Sequence, residues 1–250
     1  MRRAIVSDIH SNIEALSTVL AHIEQQKVDE IICLGDVIGY GPDPRPCLNI
    51  ALHFKFTIMG NHEDGLMYHP EDFNERARVA IEWTRDQLNA KEYPKEENYR
   101  LWEFLSSLRE SEKLDGALLV HGSPRNPVKE YVLPRDSQDK TKMGEIFALI
   151  DGHVCFVGHS HVPGVYRENL QFLNPSRFPN GCPLRSEKLL INVGSVGQPR
   201  DGDNRASYVI WEDDRVFFHR LAYDYETTMK KILGTGILHP YLAQRLKEGR

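Results

Sequence analysis

The chain has few cysteines, no excess of positive charge and no long apolar run. Its four cysteines, Cys33, Cys47, Cys155 and Cys182, form no C-x-x-C pair. Cys33 and Cys155 stand inside apolar strand-like runs, so buried free thiols in a reducing compartment are expected rather than a redox or structural pair. Lysine and arginine number 31 against 36 aspartates and glutamates, a formal charge of -5. Bulk nucleic-acid binders and membrane-surface binders are more often basic, so neither partner is expected. No stretch is long enough to span a bilayer, and the apolar part of the opening MRRAIVSDIH is too short for a signal peptide. Repeats and low-complexity tracts are absent. These absences predict a cytoplasmic globular protein, a single domain over residues 1–250.

What is present is an alternation of short apolar runs and helical patterns. Residues 3–7, 30–35 and 54–58 are apolar without polar alternation, which predicts parallel strands covered by helices. Ser11 and Glu14 fit a capping box, opening a helix whose apolar side is Ile13, Leu16, Val19, Leu20 and Ile23. Residues 65–112 are polar and helix-periodic, and are expected to form a helical insertion. Residues 116–122 and 153–157 return to strand, 143–150 to helix, and 124–140 to a Pro- and charge-rich loop or lid. Runs at 163–167, 188–193, 206–211 and 215–220 predict a mostly antiparallel second sheet, closed by a helix over 225–233.

Each strong strand ends in metal-binding chemistry: Asp8-Ile9-His10, Gly35-Asp36, Gly60-Asn61-His62-Glu63, His121-Gly122 and Gly158-His159-Ser160-His161. The carboxyl ends of strands in open α/β sheets form the ligand crevice, so these residues are expected to converge. The donors are oxygen and imidazole without thiolate, a set suited to Mn, Fe, Co, Ni or Zn. Asp8, His10, Asp36, Asn61, His121, His159 and His161 are about seven donors, where one catalytic ion normally takes about three or four. The count predicts two ions bridged by one carboxylate, about 3.5–4 Å apart, the clamp used for in-line displacement at phosphorus. In an extended stretch His159 and His161 would point to the same side, each reaching a different ion.

The ordered blocks D-x-H, G-D-x-x-G, G-N-H-E, H-G and G-H-S-H, spanning residues 4 to 200, resemble the calcineurin-like metallophosphoesterases. The resemblance implies a four-layer αββα sandwich of two mixed β-sheets flanked by helices. It implies two divalent transition-metal ions, manganese favoured. Asp8, His10 and His161 would hold one, Asn61, His121 and His159 the other, and Asp36 would bridge them. It also implies attack by a metal-bound hydroxide on a phosphodiester or nucleotide phosphoanhydride, with His62 as acid or transition-state stabiliser. GDVIGYGPDP, HGSPR and NVGSVGQPRDGD are similar to the bacterial branch of small phosphodiesterases and asymmetric diadenosine tetraphosphate hydrolases. A phosphoprotein phosphatase is the alternative, disfavoured because Gly39-Tyr40 and Met59 replace that branch's Asp-Arg and Arg. A non-catalytic scaffold is the other, disfavoured because no ligand position is substituted.

Arg125 and Arg200 are the candidate substrate-binding residues outside the metal blocks. The turn after Asn192 is open to two readings: a structural turn, or an anion site made by its amides with Arg200. Tyr40 is equally open, to base stacking or to packing.

Overall fold

Alternate residues of β1 (Arg2–Val6) serve two different cores. Ala4 and Val6 join one apolar cluster and Ile5 another. That is the period-2 geometry of a strand buried on both faces. The computed structural model describes residues 1–68, 73–184 and 187–250; residues 69–72, inside the anticipated 65–112 insertion, and 185–186 lie outside it.

Two mixed six-stranded sheets face each other. In the first, β1 pairs in parallel with β2 (Glu30–Cys33), which pairs in parallel with β3 (Phe56–Thr57). On its other side β1 pairs antiparallel with β11 (Ala206–Glu212), followed by β12 (Arg215–Leu221) and β9 (Cys182–Pro183). The second sheet runs β4 (Ser111–Leu114), β5 (Ala117–Val120), β6 (Val154–Val157), β10 (Leu189–Asn192), β7 (Gly164–Arg167), β8 (Gln171–Leu173). Ile5, Ile32 and Leu34 meet Leu119, Phe156 and Ile191 in the seam between the sheets. The opposite face of the second sheet, with Cys155, Val157 and Leu190, is covered by Met143, Ile146 and Phe147 of α6 (Lys140–Ala148). Helix α1 (Ile13–Gln25) covers the first sheet through Leu16 and Val19, beside Leu48 of α2 (Pro44–Ala51). The result is the four-layer helix–sheet–sheet–helix sandwich, and all four cysteines are free and buried.

Three expectations change. The C-terminal strands do not form a separate antiparallel sheet: β11 and β12 extend the first sheet, while β7 and β10 complete the second. Apolar strands of similar length carry no local label of which sheet they join. The α1 cap is Asn12, whose side chain accepts from the Ala15 amide; Glu14 reaches out to Thr228 and Lys231. The C-terminal helix α7 (Tyr225–Gly234) is followed by another, α8 (Pro240–Glu248), whose Leu242, Ala243 and Leu246 pack on Ala80 and Trp83. Those two residues belong to α4 (Glu75–Leu88), which lies between α3 (Asn61–Met67) and α5 (Lys95–Ser107).

Candidate metal centre

The loops that follow β1, β2, β5 and β6, and the first turn of α3, bring the seven candidate ligands to one buried place. Asp8, His10, Asp36 and His161 form one group of donors, and Asp36, His121 and His159 another; within each, the donor atoms lie within 4.8 Å of one another. Asn61 joins the second, its Oδ1 standing 3.1 Å from Nε2 of His121. Asp36 belongs to both, its Oδ2 lying 3.7 Å from His10 Nε2 and 3.4 Å from His121 Nε2.

The backbone here is unusual. Five of the seven, Asp8, His10, Asp36, His159 and His161, have φ between 48° and 60°. L-residues rarely adopt this left-handed region, and strain of this kind persists only where surrounding structure holds it. This revises the reason His159 and His161 serve different groups. Strand β6 has ended at Val157, and two left-handed residues, not strand alternation, aim the two rings. Asn61 and His62 are likewise in a helical first turn, not an extended segment. Gly35, at φ +96°, permits a close approach: a Cβ there would collide with the Gly60 amide, so the Asp36 and Asn61 loops could not meet.

One carboxylate sews these loops together. Glu63 Oε2 accepts from the amides of Asp36 (2.7 Å) and Gly60 (3.0 Å), and Oε1 from that of Ile38 (3.2 Å). Burial and the Asp36 charge push its pKa up to about 7 against those amides. In the sequence only the place of Glu63 after Gly60-Asn61-His62 hints at this role. The turn after Asn192 is similarly structural. Its amides at Val196 and Gly197 donate to Ser7 and Asp8 carbonyls, and Gln198 N–H to Ser195 Oγ. They are committed within the protein, which removes them as anion donors and leaves Arg200.

The donor set fits divalent cations. Nδ1–H of His10, His161 and His121 donates to the carbonyls of Ile38 (3.0 Å), Gln198 (2.5 Å) and Leu34 (2.8 Å), and Nε2–H of His159 to that of Lys129 (3.2 Å). Carbonyls only accept, so each of these nitrogens carries a proton and the opposite nitrogen faces the centre. Nε2 of His10 and His161 face each other at 3.2 Å, and His121 Nε2 faces His159 Nδ1 at 3.1 Å. Burial lowers the pKa of His10 and His161 and pushes that of His159 down to about 3, so these rings are neutral. Lone pairs so close repel unless positive charge lies between them. Asp8 Oδ1, buried and 3.0 Å from His161 Nε2, adds an acceptor to the same place. At His121 burial is overcome by Asp36, and its pKa is held up at about 9. A proton there partly supplies what a cation would.

His62 stands beside the cluster. Its ring meets Tyr40 edge-on at 4.5 Å, His10 at 4.8 Å and Phe73 at 5.0 Å, and its buried Nδ1 has no hydrogen-bond partner among the described residues. Aromatic packing, not a carboxylate, sets its orientation. Burial pushes its pKa down to about 4. A cavity of about 250 Å³ opens over Asn61 and His159, walled by Tyr40, Phe73 and Tyr131. Tyr131 stacks on His159 with ring centroids 3.6 Å apart, a contact no sequence signal announced.

The two arginines part company. Arg200 donates its amide to the His161 carbonyl (3.3 Å), and its guanidinium lies 5.8 Å from the Tyr40 ring. Arg125 is held by the carboxylates of Glu130 and Glu145 and lines neither this cavity nor the one beside Arg200.

Comparison with known proteins agrees with this geometry. Residues 1–215 match the calcineurin-like phosphoesterase superfamily domain. The chain is 35% identical to the uncharacterized protein MJ0912 of Methanocaldococcus jannaschii, over 99% of this chain and 98% of that one. It is similar to the crystal structure of a metallophosphoesterase from Sphaerobacter thermophilus, with a TM-score of 0.83 and 35% identity over 100% of this chain and 99% of that one. The fold also matches the hypothetical protein PH1004 of Pyrococcus horikoshii OT3, with a TM-score of 0.77 at 18% identity over 100% and 98% of the two chains. With a matching domain over most of its length and two relatives at 35% identity, the chain belongs to the calcineurin-like phosphoesterase superfamily.

Proposed function

We propose that the protein is a hydrolase that uses two divalent transition-metal ions, manganese favoured, to cleave phosphodiester or nucleotide phosphoanhydride bonds in small substrates. The observation that carries the reading is the pair of donor groups sharing the Asp36 carboxylate. Asp8, His10 and His161 are the residues to hold one ion, Asn61, His121 and His159 the other. When bound, such ions supply Lewis acidity at the phosphoryl oxygens and draw the pKa of water toward neutrality. Asn61 and His159 present the second group to the cavity, so a phosphoryl group enters from that side. His62, neutral by burial, is placed to donate a hydrogen bond to a substrate oxygen; to act as a general acid it would first take up a second proton, which the negative charge of a bound phosphate group favours. Tyr131 and Phe73 narrow the entrance and limit water around the group attacked. Gly39-Tyr40 and Met59 support a nucleotide or diester substrate over a phosphoprotein.

The test is purified protein, stripped by chelator and reloaded with manganese. It is assayed on bis-p-nitrophenyl phosphate, cyclic nucleotides, diadenosine tetraphosphate and a phosphopeptide. Hydrolysis that vanishes with the metal and returns with it is expected. Full activity in metal-free protein, or activity confined to the phosphopeptide, overturns the reading.

A further inference from the structure

A second cavity, of about 530 Å³, adjoins the one over the metal centre; Tyr40, Asn74 and Tyr131 belong to the walls of both. Arg76, Arg200 and Arg245 also line it. Such crowding of positive charge is normally relieved by carboxylates. Here Arg200 donates to Gln198 Oε1 (2.8 Å), Arg245 to the main-chain oxygen of Arg250, and Arg76 stacks on Tyr241 at 4.5 Å. None of the three makes an ion pair with a side-chain carboxylate of the described residues, and Nε of Arg200 is buried without a hydrogen-bond partner. Glu75, the one carboxylate among the described residues of the wall, is exposed. Burial, then the charge of Arg200, pushes Arg245 down to about 10.

The placement is fixed by packing. The guanidinium carbons of Arg200 and Arg245 lie 5.8 and 5.9 Å from the ring of Tyr40, and that ring touches His62 and His10. A single aromatic ring thus separates the arginines from the reacting centre. Arg245 stands on α8, past residue 215 where the family match ends. Helix α8 is anchored on α4, and its end is tied to the Arg200 loop by the Gly202 amide, which donates to the Gly249 carbonyl (2.9 Å). Two guanidinium groups without a side-chain carboxylate partner among the described residues, held on one wall beside a phosphoryl site, are preorganised for further anionic oxygens.

We propose that this cavity is an anion subsite in which Arg200 and Arg245, with Arg76 at its exposed side, bind the phosphates extending beyond the one attacked. The substrate is then a phosphoanhydride with at least two phosphates in a row. The inference deepens the phosphoesterase reading and, as a statement about substrate, rests on it.

Binding is measured first without metal, by calorimetric titration of chelator-stripped, desalted protein with inorganic tripolyphosphate. Wild type is expected to bind one tripolyphosphate per chain, more weakly as salt is raised. Arg245→Ala should bind about ten- to a hundredfold more weakly, Arg245→Lys between the two, and the exposed Arg76→Ala more weakly by a smaller factor. Arg76→Ala and Arg245→Lys carry the test if Arg245→Ala does not fold. Wild type that fails to bind, or variants that bind as wild type does, overturn the subsite. In manganese-loaded protein, Arg245→Ala should lose at least tenfold more kcat/KM on diadenosine tetraphosphate than on bis-p-nitrophenyl phosphate; equal losses overturn it too. If loaded wild type hydrolyses no phosphate compound while tripolyphosphate binding follows the arginines, the hydrolytic reading fails and the anion site stands.

Discussion

The two halves of the buried centre are built differently. The Asp8–His10–His161 half has two carboxylates within reach, counting Asp36, and every member is at most 1% exposed. In the half made by Asn61, His121 and His159, Asp36 is the one carboxylate among the described donors, and Asn61 and His159 form part of a cavity wall. A donor set with more charge and less water holds a cation more tightly. On the reading proposed above, the enclosed half is expected to be the tighter position and the open half the one that substrate meets. One shared carboxylate joins the two groups of donors, and their unequal surroundings predict unequal tasks.

Removing what the halves share should have the largest effect. Asp36→Ala is expected to abolish hydrolysis and reduce bound metal at both positions, read by assay and elemental analysis; substantial residual activity would show that the halves work independently. Next comes His62→Ala, which removes a side chain that belongs to neither set of donors; its ring only packs edge-on against His10, and its amide still donates to Asp36 Oδ1 (2.9 Å). It should keep near-normal metal content and lose on the order of 10²–10⁴ in rate. The loss should be smaller for p-nitrophenyl esters, whose leaving group needs no proton, and an equal loss for poor leaving groups would assign His62 to phosphate positioning instead.

The asymmetry itself can be measured by metal titration. Two binding steps are expected, with Asn61→Ala weakening the second by about 10–100-fold and Asp8→Asn weakening the first. A single step would refute the inequality of the halves. The pH dependence follows from His121. Its pKa is held up at about 9, so near pH 7 it carries a second proton that a cation at the open half must displace. Affinity there should rise by about tenfold per pH unit up to about pH 9, with proton release detectable in buffers of different ionisation enthalpy. The smallest effect is the control outside both halves. Arg125→Ala breaks pairs to Glu130 and Glu145 near the surface and should change kcat/KM by less than about threefold and stability by about 1 kcal/mol or less.

The seven donors were legible because each follows an apolar run and most lie beside a glycine, a local pattern that strand-end chemistry produces. Their left-handed conformations were not, since nothing in Asp8 or His161 distinguishes one backbone basin from another until neighbouring loops close over it. The sheet order was hidden for a similar reason. Runs such as LLIN and ASYVIWE state that they are strands, but pairing partners are chosen by the whole core. Glu63, Tyr131 and Arg245 were missed because each acts through a contact distant in sequence. Arg245 in particular sits in an ordinary amphipathic helix and owes its interest to Arg200 and Tyr40 across the cavity.

The antiparallel pairing of β1 with β11, Ile5 opposite Val209, has a consequence for how the chain is made. A ribosome releases β1 and β2 long before β11 exists, so one edge of that parallel pair stays open through most of synthesis, and closure of such distant contacts is slow. Asp8, sitting directly beyond β1, waits with it for the His161 loop and the 195–198 turn. A nascent chain halted before residue 206 would therefore lack the strand that seals the first sheet, and a protease pulse during translation should find the amino-terminal half cleavable until those last strands emerge.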